Sequence, residues 1–557
     1  MADLRVLDGP KDNLRQVKSY QPSMWSDIFS SFSFDNQVQE MYLQQIEVLK
    51  EEVKMMLMSK ESKIEDRIIL IDTIERLGVS YHFEQQIEEQ IEQIFIEYQI
   101  NFEKGNYDLF ATALGFRLFR QHGHNSPCSV FVKFKGKDNK FDINLSNDIK
   151  GLLSLYEATY LMFHGEDILE EAMVFTKYYL NVALPKLDSF LQVKIKQALE
   201  QPTRRGVQRV ETRNYISIYE NEESKNHILL RLAKLDFNYV QNIFKKELRD
   251  LLMWWKEMDL ISKLPHVRER VVECYFWAVV FNFEPMYSLS RLANAKALIL
   301  LTIINDTYDH YATFQETESC TENLQRWDIK EIDDQLPEYM KIICRFFIST
   351  YEEFENEDQI KLQGRSYAVT YAREAMQQLA KGYSKKALWQ LGKEVPTFED
   401  YMSYAVINSV CYLLISSSFM GMESATKEYF EWLNSEPEIV KATGLYGRYM
   451  NDVASYQRES KEGLLATSID CYMKEHAVSK QETIVKFVEL AEDCWMTINE
   501  ERVATSNYIP SHIIERVLNY SRGTFVTYNN GEDGYTNPEK VLMPYIIALF
   551  KDPITII

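Results

Sequence analysis

Ala297-Leu298-Ile299-Leu300-Leu301-Thr302-Ile303-Ile304-Asn305-Asp306-Thr307-Tyr308-Asp309 is the stretch that decides how this chain reads. Its apolar part, Ala297 to Ile304, falls short of the roughly 18 uninterrupted apolar residues that a membrane span requires and runs into acids. It reads as a buried helix. On a helix at about 100° per residue, Asn305 and Asp309 fall about 40° apart and Asp306 about 60° from Asp309, so three oxygen-bearing side chains converge. Acids that directly follow a buried helix stand at the rim or floor of a cavity, where a hard cation such as Mg²⁺ takes one or two carboxylates, waters and phosphate oxygens. Taken alone, an Asp-x-x-Asp pair is more often an exposed helix end.

The sequence around this stretch predicts helices. Apolar residues recur three or four apart in Val38 to Met58, Ile64 to Leu77 and Glu84 to Ile100. With Gly 19 and Pro 14 in 557 residues, the composition disfavours turn-dense all-β folds. The expected class is all-α. Length favours about two or three domains. Gln201 to Lys225, with Pro202, Gly206 and broken periodicity, reads as a junction, which predicts an N-terminal helical domain over 1–225 and a C-terminal one over 226–557. Asn434 to Pro437 and Asn529 to Asn537 read as loops, the second placed to cover a pocket.

The formal charge of -21 deprives the chain as a whole of the positive field that nucleic acid or an anionic membrane needs. An anionic substrate must then be met by local cations or metals. Seven scattered cysteines, none spaced Cys-x-x-Cys, suggest neither a zinc site nor a disulfide framework. The N-terminal stretch contains acids and resembles neither a signal nor a transit peptide, so the expected location is cytoplasmic.

A second oxygen-rich constellation is Asn451-Asp452-Val453-Ala454-Ser455-Tyr456-Gln457-Arg458-Glu459. Asn451, Ser455 and Glu459 follow i, i+4, i+8 and form one stripe about 80° wide, an amide, a hydroxyl and a carboxylate in a row. Alone it too reads as a polar helix face. Two such stripes, each beside apolar sequence, weaken that reading jointly. Arg268, Arg270 and Arg448 lie near them in sequence, and a guanidinium binds phosphate through paired hydrogen bonds without losing its charge. Trp277, Tyr528 and Tyr535 supply aromatic faces, which stabilise a cation without quenching it.

Together these residues resemble the plant terpene synthase family, specifically its class I sesquiterpene synthases. Asn305 to Asp309 is similar to the family's Asp-Asp-x-x-Asp motif, and Asn451 to Glu459 to its second metal motif. Arg268-Glu269-Arg270 with Trp277 resembles the Arg-x-Arg segment and active-site Trp, and Tyr528 with Asp533-Gly534-Tyr535-Thr536 the C-terminal lid. In the N-terminal half, Arg15-Gln16 and Trp25 resemble the Arg-Arg-x8-Trp element, and Leu77 to Glu84 and Glu166 to Ala172 also read as family text. The likeness runs from about Arg15 to the end.

The resemblance implies an N-terminal helical scaffold whose first residues help to cap the site, a catalytic C-terminal α-bundle and three Mg²⁺ ions. Asn305, Asp306 and Asp309 would hold two ions and Asn451, Ser455 and Glu459 the third. Arg268, Arg270 and Arg448 would meet the diphosphate. Trp277 and Tyr528 would line the hydrocarbon cavity, and Asp533 would act with them in the catalytic set. The implied substrate is farnesyl diphosphate, the implied activity a carbon-oxygen lyase that cyclises the cation to a sesquiterpene, and the implied state a monomer with neither nucleic-acid partner nor integral membrane segment. Two departures stand out: Asn305 replaces the usual Asp, and Gln16 the second Arg. Geranyl diphosphate as substrate and an inactive helical homologue are the alternatives. An isoprenyl chain-elongating enzyme would show two Asp-rich motifs, and a class II cyclase an Asp-x-Asp-Asp site, to which only Glu331 to Asp334 comes near.

Overall fold

The structure is a computed structural model that describes residues 23–59, 62–101, 107–392, 396–407, 410–461 and 467–556. Arg15 and Gln16 lie outside the described residues. Among those described, helices dominate, and the one β-type pairing is an isolated bridge between Lys135 and Phe141.

The three N-terminal helices expected from periodicity are present as Asn36–Leu57, Ile64–Arg76 and Glu84–Asn101. The first begins where the Asp35 carboxylate accepts from the amides of Gln37 (2.9 Å) and Val38 (3.1 Å), satisfying two donors that a helix start leaves open. The expected junction at 201–225 differs from the structure, because Gln208–Tyr219 within it is a helix. Its buried face carries Arg209, which pairs with Asp236 at 3.1 Å. A polar residue on the inward face hides the apolar period. The chain turns instead at 220–226, and the Asn226 side chain caps His227–Met258 by accepting from Ile228 N at 2.9 Å and Leu229 N at 3.2 Å.

Across that turn the core is continuous. Ile46 and Val53 belong to the same buried cluster as Val240, Phe276 and Phe550, because Asn36–Leu57 packs along His227–Met258. Two smaller clusters, around Phe116 and Phe131 and around Tyr156 and Leu180, belong to the N-terminal half alone. The chain end returns to the same long helix, where Asn238 exchanges hydrogen bonds with the backbone of Ile554 (2.7 and 2.8 Å).

Val271–Phe281 is buried at every residue, as a helix apolar on all sides must be. Ser288–His310 packs on it and on Cys411–Met420. The stretch Pro285–His310 is long and apolar enough to cross a membrane, yet 78% of its most apolar window is buried inside the molecule. Its apolarity is that of a core helix.

Three helices meet at one buried ion pair. Glu247 on His227–Met258 accepts from Arg291 Nε (2.8 Å) and Nη2 (2.7 Å) on Ser288–His310, and from the Tyr275 hydroxyl (2.7 Å) on Val271–Phe281. Removing one partner of such a pair strands the other charge in the core. Glu247→Ala is expected to cost about 3–5 kcal/mol, read from denaturant midpoints. A loss below about 1 kcal/mol would show that the pair does not hold these helices.

Candidate functional site

A cavity of about 310 Å³ lies between Ser288–His310, Ser366–Gly392, Cys411–Met420, Glu438–Lys461 and Ser511–Tyr528. Of the twelve site residues expected from the sequence, nine line it: Arg268, Trp277, Asn305, Asp309, Arg448, Asn451, Glu459, Tyr528 and Asp533. The cavity has two characters. Leu298, Leu301 and Leu414 with the rings of Trp277 and Tyr520 make an apolar part. From Leu298 the Ser288–His310 helix rises about 16 Å to Asp309, so one helix supplies apolar wall first and polar rim last.

Glycines make room for the rings. A Cβ at Gly523 would meet the Trp277 indole at 2.6 Å, and one at Gly447 the Tyr520 ring at 2.6 Å. The two rings lie 6.0 Å apart, tilted by 53°.

At the polar end, Asn305 bridges two charges. Its carbonyl accepts from Arg268 Nη2 (3.2 Å) and its amide donates to Asp309 Oδ2 (3.1 Å), which also receives Lys386 Nζ at 3.1 Å. Asp306 faces elsewhere. It is fully buried against Arg268, accepting from that residue's backbone N (2.8 Å) and Nε (2.9 Å), and does not line the cavity. On Glu438–Lys461, Arg448 donates to both Asn451 and Asp452. Ser455 is buried and does not line the cavity, and its Oγ has no partner among the described residues. An unpartnered buried oxygen in line with Asn451 and Glu459 fits the role of a cation ligand.

Arg270 likewise does not line the cavity. It donates to the backbone carbonyls of Tyr535 (3.2 Å) and Thr536 (3.2 Å), holding the loop expected at 529–537 against the body. Asp533 fixes the same loop from within, accepting from Tyr535 N (3.1 Å), Thr536 N (2.9 Å) and Arg458 (3.2 Å). The Tyr535 hydroxyl reaches Thr302 and, at 3.3 Å, the Cys274 sulfur. At the other chain end, the Trp25 indole donates to Glu273 at 3.1 Å, one helix turn beyond the Arg268 to Arg270 segment.

Lys386, Asp452 and Arg458 line the cavity but were not singled out from the sequence. For Lys386 a signal existed: Tyr383, Lys386 and Trp389, three apart, share one face of Ser366–Gly392 and all reach the cavity. Burial works against the Lys386 charge, but the Asp309 and Glu459 carboxylates outweigh it and hold the ammonium above its ordinary range. Burial, opposed by Arg448, raises the Asp452 carboxyl, and burial raises the phenols of Tyr383 and Tyr528.

The charged lining is balanced, with Arg268, Lys386, Arg448 and Arg458 against Asp309, Asp452, Glu459 and Asp533. A diphosphate entering this partly desolvated space therefore needs further cations with it. Among the described residues no three His, Cys, Asp or Glu side chains converge on one point. The oxygen donors Asn305, Asp309, Ser455 and Glu459 suit Mg²⁺, which keeps few protein carboxylates and completes its shell with phosphate oxygens and water.

The chain is similar to known proteins over nearly its whole length. Residues 256–497 match the family model of the terpene synthase metal binding domain, and residues 24–199 that of the terpene synthase N-terminal domain. A valerianol synthase of Camellia sinensis is 44% identical over 99% of this chain and 98% of its own, and one of Camellia hiemalis 43% identical over the same shares. The isoprene synthase of grey poplar (Populus x canescens), solved with three Mg²⁺ ions and dimethylallyl-S-thiolodiphosphate, superposes with a TM-score of 0.85 at 32% identity, covering 96% of this chain and 99% of its own. A limonene synthase with 2-fluorolinalyl diphosphate gives a TM-score of 0.89 at 28% identity, over 97% of this chain and 100% of that one. The chain belongs to the terpene synthase family.

Proposed function

We propose that this protein is a magnesium-dependent sesquiterpene synthase, which ionises farnesyl diphosphate and folds the cation into a fifteen-carbon product. The observation that carries the reading is one cavity with a charged, oxygen-rich end, an apolar aromatic end and a loop pinned across it. Full-length similarity to valerianol synthases supports the fifteen-carbon substrate over geranyl diphosphate.

Magnesium held by Asn305, Asp309, Asn451, Ser455 and Glu459 would supply Lewis acidity to the departing diphosphate. The chain's own groups do the rest. Arg448 and Lys386 present fixed positive charge where negative charge grows as the carbon-oxygen bond breaks. Arg268, paired with Asp306, lines the same end and adds its positive charge there. Trp277, Tyr520 and Tyr528 offer ring faces to a carbocation, and the raised Tyr528 phenol stays neutral at ordinary pH. The Asp533 to Thr536 loop excludes water that would otherwise capture the cation early.

Turnover of farnesyl diphosphate should stop in excess EDTA and return with Mg²⁺, and geranyl diphosphate should turn over more slowly; gas chromatography of the products reads both. Full activity in EDTA would sink the metal reading, and a preference for geranyl diphosphate the substrate. Glu459→Gln should lower kcat by about a hundredfold or more, equivalent to roughly 2.7 kcal/mol at the barrier. Arg270→Ala, which releases the loop without touching the cavity, should lower kcat about tenfold and increase the share of water-quenched alcohols. An unchanged product profile and kcat would show that this clamp does not govern water access.

A further inference from the structure

A second cavity, of about 600 Å³, lies between the two halves of the chain and shares no lining residue with the first. Arg204, Arg502 and Arg522 stand on its wall, all at least nine-tenths buried. Their common carboxylate is Glu515, whose oxygens are already engaged by Arg522, by Arg502 at 3.4 Å and by Gln208 at 2.8 Å. Arg522 spends its Nε on the Arg204 carbonyl (3.2 Å), and Arg502 its Nε on the Gln121 carbonyl (2.7 Å). The Arg204 guanidinium is left over: its Nε and Nη2 are buried with no acceptor.

Lys150 on the same wall lies over the Phe110 ring, 3.7 Å from its centroid, and three of the wall's other arginines have their own acids. Arg76 and Arg117 share Asp72, and Arg516 takes Glu284. Burial, reinforced by the charges of Arg522 and Arg502 and only partly offset by Glu515 and Glu75, pushes Arg204 well below the usual guanidinium range. A guanidinium resists deprotonation, and an uncompensated charge in the interior is costly. An anion in the cavity removes both costs.

We propose that this cavity is an oxyanion site in which Arg204, backed by Arg502 and Arg522, binds a phosphate group. Arg204 lines the cavity, and a guanidinium suits tetrahedral phosphate oxygens because its planar fork can donate in parallel. Two sources share that chemistry, free orthophosphate and the diphosphate that a synthase releases.

Equilibrium dialysis of the full chain with labelled orthophosphate, in Mg²⁺-free buffer, tests this without substrate turnover, so its result does not depend on the activity proposed above. One phosphate per chain is expected. Arg204→Gln should weaken binding at least tenfold, Arg204→Lys less because charge survives without the fork, and Arg448→Gln in the first cavity should leave it unchanged. In the Arg448→Gln background, diphosphate binding at least tenfold tighter than orthophosphate identifies the reaction's by-product as the ligand; equal or weaker binding identifies free phosphate. No phosphate on the parent chain overturns the proposal, as does binding that survives Arg204→Gln or is lost in Arg448→Gln. Should Arg204→Gln fail to fold, the parent and Arg204→Lys still decide.

Discussion

The buried pair of Glu247 and Arg291 is the contact on which the catalytic half is hung. It joins the long helix that receives the chain end, the fully buried helix that carries Trp277, and the helix that carries Asn305 and Asp309. Tyr275 makes it a three-body contact, and Arg291 further holds the backbone of Asn282 (3.0 Å) and Glu284 (2.6 Å) at the turn between the second and third helices. A buried ion pair adds little net stability against an apolar substitute, but it penalises every arrangement that separates the charges. Helix register is thereby set by residues outside the cavity lining, on the helices that carry Trp277 and Asp309.

Within that frame the site answers one conflict. Breaking a carbon-oxygen bond toward diphosphate calls for concentrated charge, whereas the carbocation calls for a dry wall with no nucleophile. The Ser288–His310 helix separates the two along its own length, with leucines before and oxygens after. The balanced lining keeps the charged end from collapsing: Lys386 neutralises Asp309, and Arg448 neutralises Asp452. Both acids are thus poised to change partners rather than buried alone.

Much of this was legible in the sequence, since the apolar run before Asn305 and the i, i+4, i+8 stripe at Asn451 follow directly from helix geometry. The all-α class and the loop near 529–537 were readable from period and turn residues. What escaped reading depends on contacts between distant segments. Gln208–Tyr219 looked like a junction because its buried face carries Arg209, whose partner Asp236 lies on another helix. Asp306 and Arg270 look like site residues by spacing, yet three-dimensional packing gives Asp306 to Arg268 and Arg270 to the loop carbonyls. Lys386 carried only a weak local signal, its spacing with Tyr383 and Trp389, and nothing in that spacing tells a lysine on a mixed helix face that Asp309 waits opposite.

The Asn at 305 is best understood through its two neighbours. An amide accepts on one side and donates on the other, so Asn305 takes Arg268 Nη2 and gives to Asp309 Oδ2 at the same time. A carboxylate in its place would accept from Arg268 but only repel Asp309, and would turn four acids against four cations into five against four. The departure from the family pattern therefore removes one charge that attracts metal and adds one bond that orients Asp309. Because Arg268 already answers Asp306, an additional anion at 305 would compete for a guanidinium with few donors to spare. The substitution is thus matched to the pairing around it, and Asp309 is left as the anionic oxygen of this segment that faces the cavity.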